Sequence, residues 1–311
     1  MRAVVTGAGG FLGRHLVARL LEAGSTVIAT GRDVSRLEAL PKSVESHAGD
    51  LRDAAWLRGL VERSAPTHVF HLAATIGTEA QSPVRFLEGN GGVTATVLEA
   101  VREAAAGALI LLASSSAIYG DAGGNAPITE AAPFRPRTAY GASKACQEML
   151  ALQYGLGFGM RIVRVRAFNL VGPGLSAALM AGALARQVAE REQGGAPEVL
   201  VGDTTARRDF LDVRDAADAY LALAVSGVPS EAYNVCRGHS VSIQECVGLL
   251  VRGAVRPLAV RVDPARLRAG DVREQVGDNR KLIAATGWKP SVPLERSLAD
   301  LLEDCRRQRA T

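Results

Sequence analysis

Tyr140 and Lys144 stand four residues apart in Tyr140-Gly-Ala-Ser-Lys144, and Ser114-Ser115-Ser116 lies upstream. If the chain is helical from Ala139, that spacing stacks a phenol and an ammonium one turn apart on the same face. A free tyrosine titrates near pH ~10 and an adjacent cation favours the phenolate, so the pair is a candidate proton donor or acceptor at neutral pH. The Ser116 hydroxyl, delivered from a strand end, could orient a substrate oxygen. Ser116, Tyr140 and Lys144 are therefore the candidate catalytic set. The spacing also arises on ordinary helices, so its meaning depends on the elements that would position it.

The first of these is at the start of the chain. Ala3-Val4-Val5 reads as a short buried strand, followed by Thr6-Gly7-Ala8-Gly9-Gly10-Phe11-Leu12-Gly13 and an amphipathic stretch from Arg14 to Ala23. Gly7, Gly10 and Gly13 permit a tight turn, close backbone approach to a pyrophosphate and close packing of helix on strand, with the helix N-terminus toward the phosphates. This predicts a dinucleotide site at Gly7, Gly10, Phe11, Leu12 and Gly13. A second strand, Ser25 to Thr30, runs into Gly31-Arg32, where an NAD site usually carries an acidic residue for the ribose 2′-hydroxyl. A guanidinium suits a 2′-phosphate instead. NADP(H) is thus the expected cofactor, with Arg36 as a second contact, and NAD(H) stays open if the turn presents Asp33.

Gly49-Asp50-Leu51-Arg52-Asp53 follows a weak third strand and opens a helix from Ala54. Val69 to Ala74 reads as a fourth strand, about Val93 to Ala105 as a helix, Leu109 to Ala113 as a fifth strand ending at the serines, and Ile162 to Arg166 as a sixth. Near-continuous apolar strands alternating with helices predict an α/β fold with a doubly wound parallel sheet. Gly7, Leu72, Ser116 and Asn169 then fall at carboxyl strand ends, where such sheets bind ligands. Gly91-Gly92 unsettles the start of the 93–105 helix, because glycine costs ~1 kcal/mol in a helix relative to alanine. The Gly/Pro/Ala-rich stretch from Gly120 to Arg137 has the length of a lid or an ordered wall. After residue 174 the alternation weakens, which predicts a smaller mixed α/β C-terminal lobe. The expected division is 1–169 for the nucleotide domain, with 213–236 returning to it, and 170–212 plus 237–311 for the substrate lobe.

With 311 residues the chain can bury a full core. No apolar run approaches the ~18 residues of a membrane span, and the N-terminus reaches its glycine turn too soon for a signal-peptide core. A cytoplasmic protein without membrane partners is expected. A net charge of +4 without long basic runs argues against a nucleic-acid partner. Cys146, Cys236, Cys246 and Cys305 are scattered, as for reduced structural thiols, and the histidines show no metal-ligand spacing. His68 and His71 read as packed, hydrogen-bonded side chains.

Together, Thr6 to Gly13, Gly49-Asp50-Leu51, His71-Leu-Ala-Ala74, Ser114 to Tyr119, Tyr140-x-x-x-Lys144, Arg166-x-x-Asn169-x-x-Gly-Pro-Gly174 and Arg208-Asp-Phe resemble the extended short-chain dehydrogenase/reductase family acting on nucleotide-sugars. The likeness runs over nearly the whole chain and implies a Rossmann sheet. It implies Ser116, Tyr140 and Lys144 as catalytic, with Lys144 also holding the nicotinamide ribose. Asp50 and Leu51 would flank the adenine, and Leu72, Ala73 and Ala74 would line the cofactor. Asn169 and Arg208 would meet the nucleotide-sugar diphosphate. Dehydratases of this family carry Asp-Glu after the position matched to Ser116; Ala117 and Ile118 stand here, which disfavours dehydration. A ketoreductase that consumes NADPH and an epimerase that retains its nicotinamide remain, and Arg32 favours the former. The C-terminal part is most like the family's bacterial reductases of GDP-4-keto-6-deoxymannose, in which Arg268 would contact the nucleotide. The expectation is NADPH-dependent reduction of a nucleotide-linked 4-keto-6-deoxy sugar in deoxysugar biosynthesis. An NDP-sugar 4-epimerase and a non-catalytic NADP-sensing protein are the alternatives. A homodimer through the helices near 93–105 and 140–155 is implied by the resemblance.

Overall fold

The computed structural model describes residues 1–76, 82–121, 126–267 and 272–310. Strands and helices alternate at first: β1 (Arg2–Thr6), α1 (Phe11–Glu22), β2 (Thr26–Gly31), α2 (Val34–Glu38), β3 (Glu45–Ala48), α3 (Ala54–Ser64) and β4 (His68–His71). A helical stretch follows, made of α4 (Pro83–Phe86), a π-turn (Leu87–Gly92) and α5 (Val93–Ala104), and then come β5 (Leu109–Ser115), α6 (Ala139–Phe158) and β6 (Ile162–Ala167). The rest comprises β7 (Asn169–Val171), α7 (Met180–Gln193), β8 (Glu198–Val201), β9 (Arg207–Asp212), α8 (Val213–Ser226), β10 (Ala232–Val235), β11 (Ser240–Ser242), α9 (Ile243–Arg252), β12 (Ala259–Val262), β13 (Glu274–Gln275), α10 (Arg280–Thr286) and α11 (Leu294–Ala310).

Seven parallel strands form the main sheet in the order β3-β2-β1-β4-β5-β6-β10. Side chains alternate across it, as the period of a strand requires: Ala3 and Val5 enter one core with Leu16, Leu20, Tyr220 and Leu223, and Val4 enters the other with Leu57, Val97 and Leu98. Burial on both faces explains why the strands read as unbroken apolar runs. The strand order reverses between β1 and β4, so the crevice outside their carboxyl ends is where a ligand fits such a sheet. A smaller sheet is built on β9, flanked by β7, β11 and β13. Leu184, Val188, Phe210, Leu250 and Leu301 make the core beside it, and Phe11 from the first turn of α1 packs against that second core. No helix among the described residues is long and apolar enough to cross a membrane.

Three local differences from the sequence expectation matter for the site. β4 stops at His71, because Leu72 and Ala73 bend over the glycine turn and donate backbone N–H groups to the Thr6 carbonyl (3.2 Å) and Thr6 Oγ1 (3.3 Å). β5 runs past Ala113 to Ser115, held by pairing of Ser115 with Ala167 on β6. Gly91-Gly92 do not delay the helix; they belong to the π-turn that precedes α5. A Cβ on Gly91 would lie 3.0 Å from Cys146 Sγ on α6. The missing side chain there lets the two helices approach closely.

Candidate active site

The glycine turn is built by sterics. Gly7 has φ +70°, a conformation that L side chains rarely adopt, and a Cβ there would sit 2.8 Å from the Ala73 nitrogen. A Cβ on Gly13 would fall 2.3 Å from the Gly7 carbonyl oxygen, so α1 rests directly on the turn. Its first turn presents backbone N–H groups into the crevice at the switch point, a cradle that suits phosphate oxygens. Leu72, Ala73 and Ala74 border the same turn and are half-buried. Leu12 packs against the sheet core.

At the end of β2, Arg32 is exposed, and its charge lies close enough to help hold down the Asp50 carboxyl. Asp33 is committed elsewhere. It is the N-cap of α2, accepting from the Arg36 backbone N–H at 3.3 Å and the Ser35 hydroxyl at 2.7 Å, and it pairs with the Arg36 side chain at 3.2 Å. Asp50 is clamped by Arg52 at 2.5 Å, which holds its carboxyl at about 2. Leu51 is turned into the core.

α6 delivers Tyr140 and Lys144. Thr138 caps its first turn by accepting from the Gly141 N–H at 3.0 Å, and a Cβ on Gly141 would lie 2.6 Å from the Ala117 carbonyl oxygen. The glycine inside Tyr-Gly-Ala-Ser-Lys thus lets this helix sit on the 3-10 turn Ser116–Ile118. Lys144 Nζ donates to the Ala113 carbonyl at 2.8 Å and lies 5.8 Å from the Tyr140 ring centroid. Burial pulls the ammonium down to about 7, against the opposing influence of the Glu148 carboxylate. Burial pushes the Tyr140 phenol above its ordinary value, and a hydrogen bond with Ser115 pulls it back. The expected lowering by Lys144 is not found: burial and Ser115 govern the phenol, and the net direction favours its protonated form.

The serine facing Tyr140 is Ser115, not Ser116. The strand persists through Ser115, and the 3-10 turn that begins at Ser116 rotates the next side chain away. Ser116 Oγ donates instead to Gln275 Oε1 at 3.0 Å. With Ser115 at the phenol, the two positions after it are Ser116 and Ala117, neither of them acidic. Dehydration stays disfavoured in this register.

Beneath this set lie two buried networks that the sequence reading passed over. Asn90 in the π-turn accepts from the Thr75 N–H at 2.7 Å and donates to the Ser143 hydroxyl at 2.8 Å, which in turn donates to the Tyr140 carbonyl at 2.7 Å. Glu148, one turn beyond Lys144, accepts the Ser114 hydroxyl at 2.5 Å and the Arg166 guanidinium at 2.7 Å. His71 bridges Thr6 (2.8 Å) and Thr94 (3.0 Å), and burial drops it to about 3, so it is neutral. His68 likewise bonds Thr67 Oγ1 at 2.9 Å.

The remaining expected residues gather across the crevice. Asn169 on β7 donates to the Asp209 carbonyl at 3.2 Å, and Arg208 on the adjacent β9 donates to the Val272 carbonyl at 2.7 Å. Arg268 lies outside the described residues.

A glycine cradle at the first strand end and a phenol and ammonium at the fifth define the class: nicotinamide-dependent enzymes on a doubly wound sheet. The chain belongs to the NAD dependent epimerase/dehydratase family, whose model matches residues 3–236. It is 36% identical over 307 residues to GDP-6-deoxy-D-mannose reductase of Pseudomonas aeruginosa, covering 97% of this chain and 96% of that one. It is 30% identical over 300 residues to a UDP-glucose 4-epimerase of Streptomyces lividans, with 89% and 90% covered. Among solved structures, RMD from Pseudomonas aeruginosa complexed with NADPH superposes with a TM-score of 0.87 at 32% identity, over 99% of this chain and 100% of that one. UDP-glucose 4-epimerase of Thermus thermophilus in complex with NAD gives 0.87 at 30% identity, over 98% and 99%.

Proposed function

We propose that this enzyme reduces the C4 carbonyl of a nucleotide-linked 4-keto-6-deoxy sugar with NADPH, a GDP-linked donor being the first to test. The observation that carries the cofactor choice is the end of β2, where Arg32 is exposed and Asp33 is withdrawn into the cap of α2. A guanidinium there gives the 2′-phosphate a forked donor, and the acid that would recognise a 2′-hydroxyl is spent. The glycine cradle and Arg32 hold the cofactor, with Lys144 at its ribose. NADPH supplies the hydride when bound.

The chain's own residues do the rest. Ser115 holds the carbonyl oxygen, and Tyr140 gives its phenolic proton to the oxygen as it becomes an alkoxide. Lys144 places positive charge beside the phenolate so formed, which favours the transfer. Asn169, Arg208 and Arg268 are the donors for the diphosphate. In this reading residues 1–169 with 213–236 form the cofactor domain, and 170–212 with 237–311 the substrate lobe. Met149, Leu156 and Phe158 on α6 are exposed at 56%, 80% and 54%. They suit a homodimer face in a cytoplasmic enzyme, and light scattering at the monomer mass would reject the dimer.

The likeness to UDP-glucose 4-epimerases favours a second reading, a 4-epimerase that retains its nicotinamide. One assay separates the two: absorbance of the reduced nicotinamide while NADPH, then NADH, is mixed with enzyme and GDP-, dTDP- and UDP-linked 4-keto-6-deoxy sugars. Stoichiometric loss of NADPH is expected. Interconversion of 4-hydroxy sugars without net loss would overturn the reductase.

A further inference from the structure

β13 pairs with β9 in the register Glu274 to Arg207 and Gln275 to Arg208. The Gln275 side chain leaves that small sheet and is buried at the end of β5. Its Oε1 accepts the Ser116 hydroxyl at 3.0 Å, and its Nε2 donates to the Ser116 carbonyl at 3.1 Å and the Gly120 carbonyl at 3.4 Å. This amide orientation is required by its partners, since two carbonyls can only accept and the hydroxyl is left to donate. One amide thus clamps the turn that follows Ser115 on two sides. The same turn is the surface on which the first turn of α6 rests, through Gly141 and the Ala117 carbonyl.

The segment around Gln275 is equally tied to the other side of the crevice. The Val272 carbonyl accepts from Arg208 at 2.7 Å, and the Gly277 N–H donates to Asp209 at 3.2 Å. The Val276 carbonyl accepts from the Ile128 N–H at 2.9 Å. A displacement of Arg208 or of β9 is therefore passed to Gln275 through bonded backbone. From there it reaches Ser116.

We propose that Gln275 is a positioning residue: it links the nucleotide side of the crevice, at Arg208 and β9, to the placement of the Ser115 hydroxyl beside Tyr140. The inference rests on the reading that Ser115 and Tyr140 act on the sugar carbonyl. Gln275 itself touches no reacting atom, and Ser116, its hydroxyl committed to the amide, is the intermediary.

Gln275→Leu and Ser116→Ala, singly and together, test the link by steady-state kinetics and by NADPH titration without sugar. Gln275→Leu is expected to lower kcat by roughly ten- to a hundred-fold, the scale of a slightly misplaced reacting group. The KM for the sugar nucleotide and the Kd for NADPH stay within about threefold, because the loss is confined to the transition state. The double variant should lose no more than Gln275→Leu, since the bond that Ser116→Ala removes is one of those that Gln275→Leu already removes. A kcat within about twofold of the parent in Gln275→Leu, or losses that multiply, would overturn the inference. If Gln275→Leu does not fold, Gln275→Met, which fills the space without the amide, takes its place, and a kcat within about twofold of the parent overturns the inference. Should the parent leave NADPH unconsumed and epimerise instead, the reductase reading has failed, and the same kcat comparison on epimerisation still decides the role of Gln275.

Discussion

Burial keeps Tyr140 protonated, as the proposed donation to an alkoxide requires, while it works against the charge that the same proposal asks of Lys144. Tyr140→Phe removes the proton donor without touching the cofactor cradle. It should cut turnover by about 10²- to 10⁴-fold while leaving NADPH affinity within about threefold; unchanged turnover would remove Tyr140 from the mechanism. Ser115→Ala should fall further than Ser116→Ala, because only the former hydroxyl meets the phenol. Lys144 carries a separate prediction in stability. Its folded value of about 7 lies below the ordinary 10.5, so the ammonium is the disfavoured form in the folded chain. That cost is complete below about pH 7 and fades as pH rises toward 10.5, where the unfolded lysine also loses its proton. Lys144→Met should be more stable than the parent at about pH 6, by a few kcal/mol at about 1.4 kcal/mol per tenfold change in proton affinity. Urea midpoints should show the gap closing by about pH 10, and a pH-independent gap would contradict the assignment.

At the scale of elements, glycines mark where one backbone presses on another. Gly13→Ala would force a Cβ to 2.3 Å from the Gly7 carbonyl oxygen, separating α1 from the turn that faces the phosphates. A loss of about 1–3 kcal/mol is expected from overpacking, with NADPH binding weakened in fluorescence titrations. Gly92, by contrast, has helical dihedrals and open space around its Cα. Gly92→Ala should stabilise by about 0.5–1 kcal/mol, so the two substitutions should move the thermal midpoint in opposite directions. An unchanged midpoint for Gly13→Ala would mean that the cradle is not built by close approach. The π-turn belongs to the same scale, because it brings Asn90 to both Thr75 and Ser143 and so ties the segment after β4 to α6.

Across the whole molecule, Glu148 joins three elements of the nucleotide-binding sheet beneath the reacting groups. It sits on α6 and pairs with Arg166 and Arg164 on β6 at 2.7 and 3.4 Å, with Ser114 of β5 as a further donor at 2.5 Å. Its side chain is fully buried, as is nearly all of Arg166. Removing one partner of such a cluster leaves a desolvated charge, at about 3–5 kcal/mol. Glu148→Gln should therefore lower the thermal midpoint by roughly 5–8 °C, and added salt should not narrow the difference, because buried pairs are poorly screened. Calorimetry at low and high salt checks this. A midpoint within about 2 °C of the parent would show that the cluster adds little to global stability.

The sequence alone determined what depends on local chemistry and period. The glycine spacing before α1, the unbroken apolar strands and the Tyr-to-Lys helical spacing each report on neighbours within a turn or a strand, and the parallel sheet follows from their order. What it could not settle was direction across distance. Three successive serines look alike until β5 is known to run through Ser115 and the next turn to rotate Ser116 toward Gln275. Asp33 and Arg32 are adjacent in the chain, and only the cap of α2 shows which of them is spent. The four-residue spacing points to the lysine as what governs the phenol's proton affinity, yet burial, a property of the packed whole, raises it and Ser115 is what pulls it back. Gln275 had no local signal at all, since its partner Ser116 lies 159 residues away and the contact exists only once the small sheet is folded against the large one.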